Sequence, residues 1–237
     1  MIRSTNKTSR ILGVAFLLQF ITSFSSGVFL QQKLFVPDDM HATLLKIAEH
    51  PGLMRASILL DMCTVLGVIF LGAMLYLTLR KQNEKMALVG MTFYLLEAVL
   101  HAVSRMQAFA LMGISQQYVA AGYPADLLTL GNLTFESMNF LGSTLMMLAF
   151  CVGAILLYYP LYRAKIVPDW LSLWGLVTVS FLLVWTVLAI LGIEVPFFLY
   201  VPYVPFEFVI GIWILIKGVN EAVESHSRPV VANTAMP

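Results

Sequence analysis

The sequence predicts an all-α fold, a polytopic transmembrane helix bundle of about six spans with both termini cytoplasmic. Composition is the first support: of 237 residues, 59% are hydrophobic and 11% charged, where a soluble domain carries about 25% charged residues. Mean hydropathy is +0.85. The second support is that apolar runs recur at close to the ~20 residues that a bilayer requires. The third is charge placement. Arg3, Lys7 and Arg10, then Arg80, Lys81 and Lys85, then Arg163 and Lys165, then Lys217 and Arg228 fall on alternate connections, while the others hold only Lys33 and Lys46. The positive-inside rule puts the basic side, and both ends, in the cytoplasm.

The expected spans are 11–30, 53–79, 86–113, 132–158, 170–192 and 203–218. No A-x-A signal follows the first, so it reads as an uncleaved helix rather than a signal peptide. In the outer loop 31–52, Pro37-Asp38-Asp39 marks a helix start, and Met40, Leu44, Ile47 and Ala48 form an apolar stripe. A short amphipathic helix is expected there, on the membrane surface or capping the bundle. The second outer loop, 114–131, breaks at Gly122-Tyr123-Pro124. Asp169 is expected to cap the fifth helix, with Trp170 and Trp174 beside it as an interfacial belt. The sixth helix should start at or near Pro205. Residues 1–220 read as one helical domain and 221–237 as a disordered cytoplasmic tail.

Net charge of +1 and the lack of a basic patch give no reason to expect nucleic acid; the bilayer is the evident partner. Cys63 and Cys151 fall at different depths, so no disulfide is expected. The thirteen methionines are scattered and read as core filling.

The run Leu156-Leu157-Tyr158-Tyr159-Pro160-Leu161-Tyr162-Arg163, followed by Ile166-Val167-Pro168-Asp169-Trp170-Leu171-Ser172-Leu173-Trp174-Gly175-Leu176, resembles a bacterial membrane-protein family known only as a domain of unknown function. Arg10-Ile11-Leu12-Gly13-Val14 and Glu207 … Ile212-Trp213 … Lys217-Gly218-Val219-Asn220 fit the same pattern. The resemblance implies a six-helix protein of the bacterial inner membrane. It implies no activity, cofactor or protein partner, so function must come from the residues.

The most informative stretch is Tyr94 to Gln107. Glu97, His101 and Arg105 recur every fourth residue, so on a helix they share one stripe about 12 Å long, with Tyr94 and Ser104 on the same arc. Charges in lipid are costly and must face protein or a wet cavity. Ser57, Asp61 and Thr64 share a face of the second helix, with Arg55 pointing away. Asn132, Glu136, Asn139 and Ser143 share one of the fourth, and Gln19, Thr22, Ser23 and Ser26 one of the first. With Glu207 on the sixth, these stripes suggest a common polar cavity in the outer half.

Three readings follow. The charges can form a structural ion-pair network, as in a scaffold or partner subunit. They can bind or transport a small or amphipathic ligand, through Arg55, Asp61, Glu97, His101, Arg105, Glu136, Asn139 and Glu207. Or Glu97 and His101 can act as an intramembrane acid–base pair, with Arg105 stabilising negative charge. No metal is expected, although Asp61, Glu97, His101 and Glu136 are the groups that could hold one. The ligand reading is the sharpest of the three.

Overall fold

Asn83 sets the frame of the molecule. In the computed structural model, which describes residues 3–4, 7–193 and 201–220, the longest helix runs from Pro51 to Ala120, 70 residues. A straight helix of that length would reach about 105 Å, more than three hydrocarbon layers. Asn83 breaks it, with φ −156° and ψ 91°, and the two arms fold back on each other. Their register is symmetric about the break. Gly72 packs on Tyr94, and Asp61 pairs with Arg105, each partner equally far from Asn83 along its own arm.

Among the described residues six α-helices result: α1 (Lys7–Leu34), α2 (Met40–Glu49), α3 (Pro51–Ala120, its arms 51–82 and 84–120), α4 (Ala125–Arg163), α5 (Asp169–Ile190) and α6 (Val204–Lys217). Neighbours in the chain pack antiparallel. Gln19, Thr22 and Ser26 of α1 meet Gly67, Thr64 and Ser57 of the first arm of α3 in reverse order. A two-residue antiparallel pair, β1 (Arg3–Ser4) with β2 (Val219–Asn220), brings the two ends together. Asn220 also donates its backbone N–H to Ile166 O, so the α4–α5 turn lies at that same end. The Asn83 turn is there too, grooved against Arg163. The basic side expected from the loops is therefore one physical end of the bundle.

Among the described residues four helices are long and apolar enough to cross a membrane: α1, α3, α4 and α5. Folded at Asn83, α3 supplies two arms, each longer than the ~20 residues one crossing needs. The helix expected over 203–218 is shorter than a span. Pro205 starts it late, as expected, and its 14 residues reach about 21 Å against a ~30 Å hydrocarbon layer. The second outer loop shrinks to a turn over 121–124, because α3 and α4 run on past the expected ends. Gly122 and Tyr123 both take positive φ, +75° and +66°, and reverse the chain tightly.

The amphipathic helix expected in the first outer loop is α2. Asp39 caps it by accepting from Ala42 N at 2.8 Å. Its stripe turns inward rather than onto the membrane surface. Leu44 and Ile47 are fully buried against Leu34, Met54, Leu111 and Met138, so α2 closes the end of the bundle farthest from Asn83. We expect Asp39→Ala to cost about 0.5–2 kcal/mol; faster amide hydrogen exchange confined to 40–49 would register it, and unchanged exchange would refute the capping role. Asp169 does not cap α5, contrary to expectation. Pro168 holds the cap position, and Asp169 lies in the first turn, 3.9 Å from Lys165. The tail expected from 221 lies outside the described residues. Cys63 and Cys151 are both free thiols.

Candidate functional site

Two apolar clusters fill the bundle, and polar side chains lie between them. The larger runs from the Asn83 end and includes Val65, Tyr94, Ala98 and Phe150. The smaller, under α2, begins at Met54 and Ala108. Between these limits the first arm of α3 turns Ser57, Asp61 and Thr64 inward, and the second arm turns in Ser104 and Arg105. The symmetric hairpin fixes this depth at ~33 Å from Asn83 for the Asp61–Arg105 pair.

Arg105 Nη1 donates to Asp61 Oδ2 at 2.6 Å, and both groups are buried, 9% and 3% exposed. Gln31 Nε2 donates to the same carboxylate oxygen at 3.0 Å and to Ser26 Oγ at 3.1 Å. Ser26 Oγ stands 3.2 Å from Ser57 Oγ. The remaining guanidinium donors, Nε and Nη2, reach Ser104 Oγ at 3.1 Å each. Each charge has its opposite, and every guanidinium nitrogen donates to an acceptor, the pairing a buried ion pair needs to survive. One turn toward Asn83, Thr64 Oγ1 donates to Thr22 Oγ1 at 2.8 Å.

Two stretches of π-helix flank this pair. Ser26–Gln31 interrupts α1 and supplies Ser26 and Gln31; Phe140–Leu145 interrupts α4 and places Gly142 over Ser104 and Arg105. A Cβ on Gly142 would sit 2.5 Å from Ser104 Oγ and 3.1 Å from Arg105 Nη2. The widened turns admit side chains that a regular helix would hold apart, a use for which π-turns recur.

Glu97 lies two turns closer to Asn83 than Arg105 and belongs to a different group. It is 5% exposed and shares its surroundings with Glu207 of α6, 8% exposed. Tyr203 donates to Glu207 Oε1 at 2.8 Å and stands 3.1 Å from the Tyr158 hydroxyl. Gln19 stands beside Glu207, and Tyr94 near Glu97. Two buried polar atoms in this group have no hydrogen-bond partner among the described residues, Glu97 Oε2 and Gln19 Oε1, while the Tyr94 hydroxyl turns to that of Tyr158. Among the described residues the group takes in no basic side chain, since Arg105 is held by Asp61.

The expected Glu97–His101–Arg105 stripe thus divides. His101, partly buried, stands in the field of Arg105 and Asp61, and its ring makes no hydrogen bond to Glu97. The fourth-helix stripe does not enter the interior. Asn132, Glu136, Asn139 and Ser143 are all exposed, because the inward face of α4 is taken by Gly131, Met138 and Gly142. Arg55 is likewise exposed, pointing away from Asp61 as its spacing predicts. Glu136 and Asn139 are therefore not brought to Glu97. Among the described residues no three His, Cys, Asp or Glu side chains converge, so Asp61, Glu97, His101 and Glu136 form no common metal shell.

Tyr158 and Tyr203 are members of the acidic group that spacing did not flag. Tyr158 lies in the aromatic run before Pro160 and Tyr203 among prolines, and each alone suggests a belt residue. Only the packing of α4 against the start of α6 joins them.

A family described as a domain of unknown function, DUF4386, has a model that matches residues 11–218. No curated protein and no solved structure matches the chain.

Proposed function

We propose, for a chain that belongs to the DUF4386 family and takes no activity from that description, that it is a multi-pass protein of the bacterial inner membrane that binds a small cation between Glu97 and Glu207. The carrying observation is the pair of unpartnered buried oxygens, Glu97 Oε2 and Gln19 Oε1, beside a second buried carboxylate. An unsatisfied buried acceptor costs about 1–3 kcal/mol, more when charged. Such a set is retained where something donates to it. Acceptors grouped around two acids fit a donor with positive charge: a primary ammonium ion or a monovalent metal ion.

This reading narrows the expected ligand. An anionic head group on Arg105 would have to displace Asp61 from a 2.6 Å contact. The Asp61–Arg105 network instead suits the structural role, holding α1, α3 and α4 in register. An acid–base pair of Glu97 and His101 lacks the hydrogen bond that would orient the imidazole. The two functions divide by depth: the far layer holds the helices, and the nearer layer holds the ligand.

The test titrates the purified full chain with sodium, potassium and ethylammonium chlorides at constant ionic strength, following tryptophan fluorescence. Trp174 reports on the site because it packs on Phe206 and donates to Pro202 O. One cation should give a saturable change that is abolished in Glu97→Gln and in Glu207→Gln and kept in His101→Gln. A linear response to all three salts, or saturation that survives both carboxamide variants, would reject the proposal.

A further inference from the structure

At the tip of the α3 hairpin, far from the ion pair, the Asn83 break opens a groove of roughly 390 Å³ against the last turns of α4. Gln82, Asn83 and Met86 form one wall, and Tyr159, Pro160 and Arg163 the other. The wall chemistry is donor-rich. Asn83 Oδ1 already accepts from Met86 N at 3.1 Å, which leaves its Nδ2 hydrogens to donate. Gln82 adds an amide, and Arg163 a guanidinium that enters no ion pair among the described residues. Charge around the groove is uneven. Arg80, Lys81, Lys85 and Arg163 face solvent with Glu84 as the one acid in that turn, while Lys165 is engaged by Asp169 at 3.9 Å.

We propose that this groove binds the phosphate of an anionic phospholipid headgroup. Position selects a lipid over a soluble phosphate compound. The groove lies where two helices long enough to cross a membrane reach its boundary, and its rim carries the half-exposed Tyr159 with Tyr162 nearby. Tyrosine at this level sits among headgroups. Below it, the two arms of α3 continue with exposed apolar side chains, Leu77 and Leu88. A phosphodiester with its acyl chains along that surface can be reached by the Arg163 guanidinium and both amides. Basic pockets between helices at the membrane boundary hold anionic headgroups in the same way.

Native mass spectrometry tests this on the full chain in mixed micelles of equimolar phosphatidylglycerol and phosphatidylcholine with identical acyl chains. Retained phosphatidylglycerol should exceed phosphatidylcholine about fivefold, the preference that roughly one basic contact supports. Arg163→Gln and Asn83→Asp should each abolish that preference, and Lys217→Gln, at the same end but outside the groove, should keep it. Arg163 is exposed, and Asn83→Asp keeps a side-chain oxygen to accept from Met86 N at the break, so both variants keep the bundle. Equal retention of both lipids would overturn the proposal. So would a loss in Lys217→Gln as large as in Arg163→Gln, which would assign the preference to diffuse charge. Inorganic phosphate that displaces the lipid and remains bound would make the groove a phosphate site instead.

Discussion

Asp61→Ala should destabilise the bundle by about 3–5 kcal/mol, the cost of leaving one member of a buried ion pair without its partner. The substitution strands the Arg105 guanidinium at 9% exposure and removes one of the two acceptors of Gln31 Nε2. Ser104 Oγ cannot compensate, since it already accepts from Nε and Nη2 and donates to His101 O at 2.8 Å. Arg105→Lys should also be poorly tolerated, because an ammonium does not reproduce a planar fork that reaches Asp61 and Ser104 together. The double substitution Asp61→Leu with Arg105→Met should recover most of the loss, since no uncompensated charge remains. Unfolding midpoints in SDS, followed by circular dichroism, give the comparison. A double variant as unstable as Asp61→Ala would show that shape rather than charge governs this layer.

Gly13→Ala should cost about 3 kcal/mol and loosen α6 from α1, an effect at the upper end of ordinary overpacking. A Cβ at Gly13 would lie 2.6 Å from Leu215 N and 2.9 Å from both Gly211 O and Leu215 Cα. All three are backbone atoms and cannot rotate away, so the two helices must separate. Close approach through small residues supplies much of helix association in lipid. Gly113→Ala is the control: a Cβ there meets nothing within 4 Å, and its stability should hold or rise slightly with helix propensity. Equal midpoints for the two variants would mean that α1 and α6 are not closely apposed.

Most of the helix pattern was legible in advance, and the reasons are local. Asp39 followed by an apolar stripe yields the cap and α2; Gly122-Tyr123-Pro124 yields the turn; Ser57, Asp61 and Thr64 share an inward face as their spacing requires. Periodicity states which residues share a face but not which way the face looks. That is why the stripe through Glu136 and Asn139 points outward while an equally regular one through Asp61 points inward. The Glu97–Arg105 stripe split for another reason. Eight residues of helix rise about 12 Å, enough to enter two separate polar layers. The π-turns left no mark in composition, and the Tyr158–Tyr203 contact joins residues far apart in sequence. The short α6 follows from Pro202 and Pro205, whose positions were visible but whose effect on helix length depends on where the chain re-enters the bundle.

The antiparallel pairing of Arg3–Ser4 with Val219–Asn220, and of Gly13 with Gly211, joins α1 to α6, a helix made much later. During translation α1 therefore enters the membrane without its neighbour, and the surface around Phe16 and Leu17 waits until α6 has been made. A ribosome stalled before residue 204 would hold a chain whose hairpin has formed but whose ring is open. Closure is a release event: the seam at Gly13, and Glu207 with it, is supplied only when α6 has been made.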